Sequence, residues 1–161
     1  MKLLHFLDEN FERIFLTILL AAMSVVIGVQ VFMRYIFRAS LSWSEELTRY
    51  CFVWMCYIGI SYGVKMQRHI KVDAVALLLP KKAQKYLGIL ANLIFLVFAV
   101  MMIQESWGVR EMIAELGQES PAIGIPMQYV YTAVPFGFCL VIFRICQNLV
   151  LQIRNLSAKT A

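Results

Sequence analysis

The sequence predicts an all-α polytopic membrane protein with four transmembrane helices. Three observations predict it. Of its 161 residues, 61% are hydrophobic and only 16% charged, against about a quarter charged in an ordinary soluble domain. Long runs without charge recur at the length of a bilayer crossing. The basic residues gather in alternate connecting segments. With a mean hydropathy of +0.71, the chain has too few polar groups for a water-exposed surface. In lipid only a helix satisfies its own backbone N–H and C=O groups. The whole chain, 1–161, reads as one membrane domain.

The first run, Ile14 to Met33, is about 20 residues without a charge and matches a hydrocarbon core of roughly 30 Å. It predicts span one, about 14–33. Met33-Arg34-Tyr35 follows it in place of the small-residue site that ends a cleaved signal peptide. Before it, Leu3, Phe6, Leu7, Phe11 and Ile14 recur at helical spacing, with Asp8, Glu9 and Glu12 falling mainly elsewhere. Segment 1–13 therefore reads either as an amphipathic helix on the cytoplasmic surface or as an extension of span one.

Span two has to be drawn as about 44–64, because its charge-free part from Tyr50 to Val64 is too short to cross alone. This brings Glu45, Glu46 and Arg49 toward the membrane. Span three is drawn as about 86–106. Lys81 to Leu116 holds no proline and only two isolated glycines, Gly88 and Gly108, so one long helix is expected to run until Gly117 stops it. Span four, about 126–150, starts with Pro126 in its first turn, and Pro135 is expected to kink its middle.

Orientation follows from lysine and arginine. Lys2 and Arg13 lie in the first arm, Lys65, Arg68, Lys71, Lys81, Lys82 and Lys85 in the second loop, and Arg144, Arg154 and Lys159 at the C-terminal end. The opposite side has Arg34, Arg38 and Arg110. Eleven against three puts both termini and the second loop in the cytoplasm. The basic excess thus reports topology and contact with membrane lipids, and no nucleic acid partner is expected.

Functional candidates concentrate at the start of span two. Ser42 and Glu45 have the spacing of a capping box, and Trp43 suits the membrane interface. Glu46 and Arg49, three apart, form either a self-neutralising pair or a charge shared with another protein. Continuing along that face come Phe52, Cys56, Gly59 and Gly63, where the two glycines permit close helix approach. Thr17, Ala21, Ser24 and Gly28 form a similar small-residue row on span one, as do Ala133 and Gly137 on span four. Arg34, Arg38, Arg110 and Glu119 lie on the outer side as candidates for docking a soluble partner.

Enzymatic equipment is missing. His5 and His69 lie outside the spans, so paired intramembrane haem ligands are not expected. Cys51, Cys56, Cys139 and Cys146 sit in apolar runs without a C-x-x-C pair and read as small packing residues. No metal-ligand spacing, nucleophile–base pattern or phosphate-binding loop occurs, so no cofactor, metal or catalytic residue is expected. No internal repeat or pair of broken helices marks a substrate site.

The run Trp43-Ser44-Glu45-Glu46-Leu47-Thr48-Arg49, then Phe52-Val53-Trp54, Gly59, Arg68-His69-Ile70-Lys71-Val72-Asp73 and Leu79-Pro80, resembles the small membrane subunit of tripartite ATP-independent periplasmic (TRAP) transporters, the DctQ-like family. Pro121-Ala122-Ile123-Gly124-Ile125-Pro126, Tyr131, Pro135-Phe136-Gly137 and Arg144 extend the resemblance over nearly the whole chain. Two departures are Gln128, in place of an apolar or aromatic residue, and Met112 to Glu119, which matches nothing diagnostic. The resemblance implies a large elevator-type membrane subunit driven by a sodium gradient and a periplasmic substrate-binding protein that delivers an organic acid. This subunit would be a static support. Among known substrates, the chain looks most like those of sialic acid systems. Two other classes stay open on the residues alone: a membrane anchor for a redox enzyme, and a small exporter using Glu46 as proton carrier.

Overall fold

In the computed structural model, the backbone is described for residues 2–66 and 81–157 and side chains for 10–66 and 87–150. Four long helices and one short one make up the described fold: α1 (Lys2–Ile36), α2 (Ser42–Lys65), α3 (Lys81–Glu115), α4 (Gln128–Tyr131) and α5 (Ala133–Ser157). The fold is all-α, and the extended pairing present among the described residues is the isolated bridge between Glu119 and Pro126.

The first helix is continuous over 35 residues, about 52 Å at 1.5 Å per residue. The N-terminal segment thus continues span one rather than forming a separate surface helix. Its end is closed by Ala39 N–H donating to the Met33 carbonyl at 3.3 Å, six residues back, with Arg38 at φ 54°. This left-handed closure usually falls to glycine.

The third helix also runs 35 residues, and Gly117 at φ +58° terminates it as expected. The fourth predicted span differs at its start. Pro126 lies in the bridge with Glu119, outside any helix, and the helical path is interrupted at Thr132 between α4 and α5. Proline excludes a hydrogen bond to, and close approach of, the carbonyl four residues earlier. For Pro135 that residue is Tyr131, so the disturbance falls at the head of the helix instead of its middle.

Among the described residues, three segments are long and apolar enough to cross a membrane: Asn10–Ile36, Leu87–Glu115 and Gln128–Val150. The second helix is not among them, because Glu45, Glu46 and Arg49 and its tyrosines and glycines dilute its apolar character.

The helices pack as a row, α1 on α2, α2 on α5, and α5 on α3. Val64, Phe138, Val141, Ile145 and Ala99 form the buried core, with Tyr57 and Phe95 against it. Gly137 explains how close α5 comes to α2: a Cβ there would lie 2.6 Å from the Tyr57 Cβ and 3.0 Å from its carbonyl oxygen. Gly137 is therefore a true helix contact, and Ala133, one turn before it, is fully buried. The row Thr17, Ala21, Ser24 and Gly28 is exposed instead, and a Cβ at Gly28 would meet nothing within 4 Å.

Candidate functional site

Two buried carboxylates, one near each end of the row, organise the polar interior. The first is Glu12 of α1, fully buried. Arg144 of α5 grips it with Nε 2.6 Å from Oε1 and Nη2 3.0 Å from Oε2. From α2, Ser61 Oγ donates to Oε1 at 3.2 Å and Lys65 Nζ lies 3.3 Å from Oε2. The two-pronged guanidinium contact fixes direction as well as distance. One turn further along α5, Asn148 donates to the Val64 carbonyl of α2 at 2.9 Å. The charge-count reading treated Arg144 and Lys65 as topology signals and Glu12 as part of a polar face. Here they are structural partners, while Phe11 and Ile14 point outward.

The second carboxylate is Glu46 of α2, also buried. Its Oε1 accepts from the Tyr50 hydroxyl at 2.7 Å. Its Oε2 accepts the backbone N–H groups of Ala122 at 2.9 Å and Ile123 at 3.2 Å. The loop that offers them is closed by Ser120 N–H to the Ile125 carbonyl, Gly124 N–H to the Ser120 carbonyl, both 2.9 Å, and Gly124 at φ +73°. Glycine suits this left-handed position because it has no Cβ to clash. Two adjacent N–H groups pointing at one oxygen form a small anion cradle, filled by the protein's own side chain.

The Glu46–Arg49 ion pair expected from spacing therefore does not form. Glu46 turns inward to the loop, while Arg49 stays exposed. The Ser42–Glu45 capping box is likewise absent. The second helix begins at Ser42 itself, with Leu41 as its cap and no side-chain cap bond. Glu45 instead accepts from Gln30 Nε2 of α1 at 2.9 Å, joining the two helices.

Trp43 and Cys56 are exposed, Gly63 is half-buried, and a Cβ on Gly59 would meet nothing within 4 Å. Of the four cysteines, all free, Cys51 is partly buried and the other three are exposed. They face out rather than filling the core. On the loop side, Arg34, Arg38 and Glu119 are exposed. Arg110 is engaged: Nε donates to Thr132 Oγ1 at 3.2 Å, and its guanidinium lies 5.0 Å above the Trp107 ring. It braces the α4–α5 break. No group of three or more metal-binding side chains comes together among the described residues.

Residues 23–155 match the family model described as tripartite ATP-independent periplasmic transporters, DctQ component. The chain belongs to this family. It is 31% identical over 158 residues to the isethionate TRAP transporter permease protein DctMQ of Oleidesulfovibrio alaskensis, covering 94% of this chain and 25% of that protein. It is 35% identical over 118 residues to the C4-dicarboxylate TRAP transporter small permease protein DctQ of Pseudomonas aeruginosa, covering 71% of this chain and 56% of the relative. The sialic acid TRAP transporter permease protein SiaT of Haemophilus influenzae is 30% identical over 131 residues, 81% of this chain and 21% of that protein. The chain thus spans a minor part of two relatives and about half of the third. The relatives are transport proteins and not enzymes, which sets aside the redox-anchor reading. The family match takes in both the α2 stretch around Glu46 and the 120–125 loop that Glu46 holds.

Proposed function

We propose that this chain is the small membrane subunit of a sodium-driven transporter importing an organic acid, and that it braces a larger elevator-type membrane subunit rather than moving substrate itself. The observation that carries this reading is the locking of the helix row near both ends, by Glu12 with Arg144 and Lys65 and by Glu46 with the 120–125 loop. Helices tied in this way suit a fixed frame and oppose the rocking by which a transporter alternates access. A large partner accords with the relatives in which a segment like this chain is a minor part of a longer permease. The relatives' names specify isethionate, C4-dicarboxylate and sialic acid, all organic acids, and sialic acid is the substrate we favour.

In this reading α2 is a fourth span. Its 24 residues give about 36 Å, and Glu46 is relieved by internal hydrogen bonds. The basic residues orient the Glu12 cluster to the cytoplasm of the inner membrane. The opposite end, carrying Arg34, Arg38, Arg110 and Glu119, faces the periplasm and helps dock a substrate-binding protein, with charge acting mainly on encounter.

Reconstitution tests the proposal. Vesicles holding the small chain, the large subunit or both are supplied with the periplasmic binding protein and a sodium gradient, and uptake of labelled sialic acid and dicarboxylates is measured. Uptake is expected only with the full set. Uptake by the small chain alone, or undiminished uptake without it, overturns the bracing role.

A further inference from the structure

We infer that the face of α2 running from Arg49 through Phe52 and Cys56 to Gly59 seats a helix of the large membrane subunit, and that this helix brings an oxygen acceptor, carboxylate or carbonyl, to Arg49. The inference rests on the bracing role proposed above and assigns it a surface. These four residues succeed one another at intervals of three and four, so they share one side of the helix.

Arg49 is the decisive residue. Two carboxylates lie within one turn of it, and both are committed elsewhere: Glu45 to Gln30 of α1, Glu46 to Tyr50 and the 120–125 loop. Arg49 makes no hydrogen bond or ion pair with any described residue and is exposed. It stands seven residues after Ser42, about 10 Å along the helix, where a guanidinium in an apolar setting requires a partner. Below it the same face is open. Phe52 is 52% exposed, Cys56 is exposed, and the space above Gly59 is empty to 4 Å. The opposite situation holds where α5 meets α2, with Gly137 pressed onto Tyr57.

Lipid is the competing occupant, and two points favour protein. Bare backbone at a glycine gains from a close-packed helix what a mobile acyl chain cannot supply. In the isethionate and sialic acid relatives, a segment like this chain makes up 25% and 21% of a single longer permease, so a large membrane partner is tethered beside it.

The test uses the exposed thiol already on this face. A chain keeping Cys56, with Cys51, Cys139 and Cys146 changed to alanine, is labelled with a membrane-permeant maleimide alone and in complex with the large subunit. Labelling is expected to fall at least tenfold in the complex and to return when the complex is dissolved in strong detergent. A photoreactive phenylalanine at Phe52 should yield an adduct with the large subunit. Arg49→Glu should cut co-purification of the large subunit at least tenfold, with Arg49→Lys retaining most of it. Neither change should move the melting temperature of the isolated chain, because Arg49 makes no hydrogen bond or ion pair among the described residues. Equal labelling of Cys56 in an intact complex, or adducts at Phe52 with lipid only, overturns the assignment of this face. Failure of the unaltered chain to capture any large subunit overturns the bracing role and this inference together.

Discussion

Glu12 and Arg144 stand 132 positions apart and meet in a two-pronged ion pair, Nε to Oε1 at 2.6 Å and Nη2 to Oε2 at 3.0 Å. Burial raises the stakes of the pair, since removing one partner strands the other in a poor solvent for charge. Glu12→Gln and Arg144→Gln should each destabilise the chain by about 3–5 kcal/mol. The double change should recover more than half of that loss. Thermal unfolding in mild detergent, followed through the cysteines, measures it, and simple additivity of the two losses would refute the coupling.

The Glu46 carboxylate is expected to order the 120–125 loop. In Glu46→Ala, the amides of Ala122 and Ile123 lose their acceptor and should exchange hydrogen faster. Glu46→Gln keeps one carbonyl oxygen and should fall between Glu46→Ala and the unaltered chain. Hydrogen exchange resolved by residue is the measurement. Unchanged protection at both amides in Glu46→Ala would mean that the loop holds itself.

Two glycines should respond oppositely to the same change. Gly137→Ala introduces a Cβ 2.6 Å from that of Tyr57, forcing α5 off α2 at a cost of about 1–3 kcal/mol. Gly59→Ala meets nothing within 4 Å and should leave the isolated chain as stable or slightly more stable, alanine being the better helix former. Melting of the two variants side by side decides it.

Arg38 holds a φ of 54°, a conformation that costs a residue with a Cβ roughly 1–2 kcal/mol. Arg38→Gly should remove that strain while adding backbone entropy to the unfolded chain, leaving a net gain of about 0.5–1 kcal/mol. A rise in melting temperature is the expected readout. If Arg38 serves docking, the same variant should be more stable and yet slower in uptake when the binding protein is scarce.

Where local chemistry decided the outcome, it was legible in the residues. The long third helix and its end follow from the absence of proline and the glycine at position 117. The all-helical character follows from composition and backbone hydrogen bonding. The polar contacts were not legible, because spacing reports only neighbours along one helix. Glu46 and Arg49 look like a pair until a loop 76 positions away offers two N–H groups with better geometry. Ser42 and Glu45 look like a cap until Gln30 competes for the carboxylate. Glu12 was hidden by its own type: an acid beside other acids reads as a solvated face, and nothing local announces Arg144. Pro135 marks a disturbance in the sequence, but not its place, since its effect falls on the carbonyl four residues before it, at the head of α5.

The order of helices in the row differs from their order of synthesis, for α2 lies against α5 while α3 is made between them. On the ribosome, α2 is therefore complete long before its neighbour exists. Glu46 must wait for Ala122 and Ile123, and Glu12 must wait for Arg144. A nascent chain halted after α3 holds each acid with only part of its donor set: Glu12 has Ser61 and Lys65 of α2 but no guanidinium, and Glu46 has the Tyr50 hydroxyl but no backbone N–H pair. The two locks therefore close in order, Glu46 once the 120–125 loop is made and Glu12 only when α5 brings Arg144, so the row is tied near both ends only after α5 is in place.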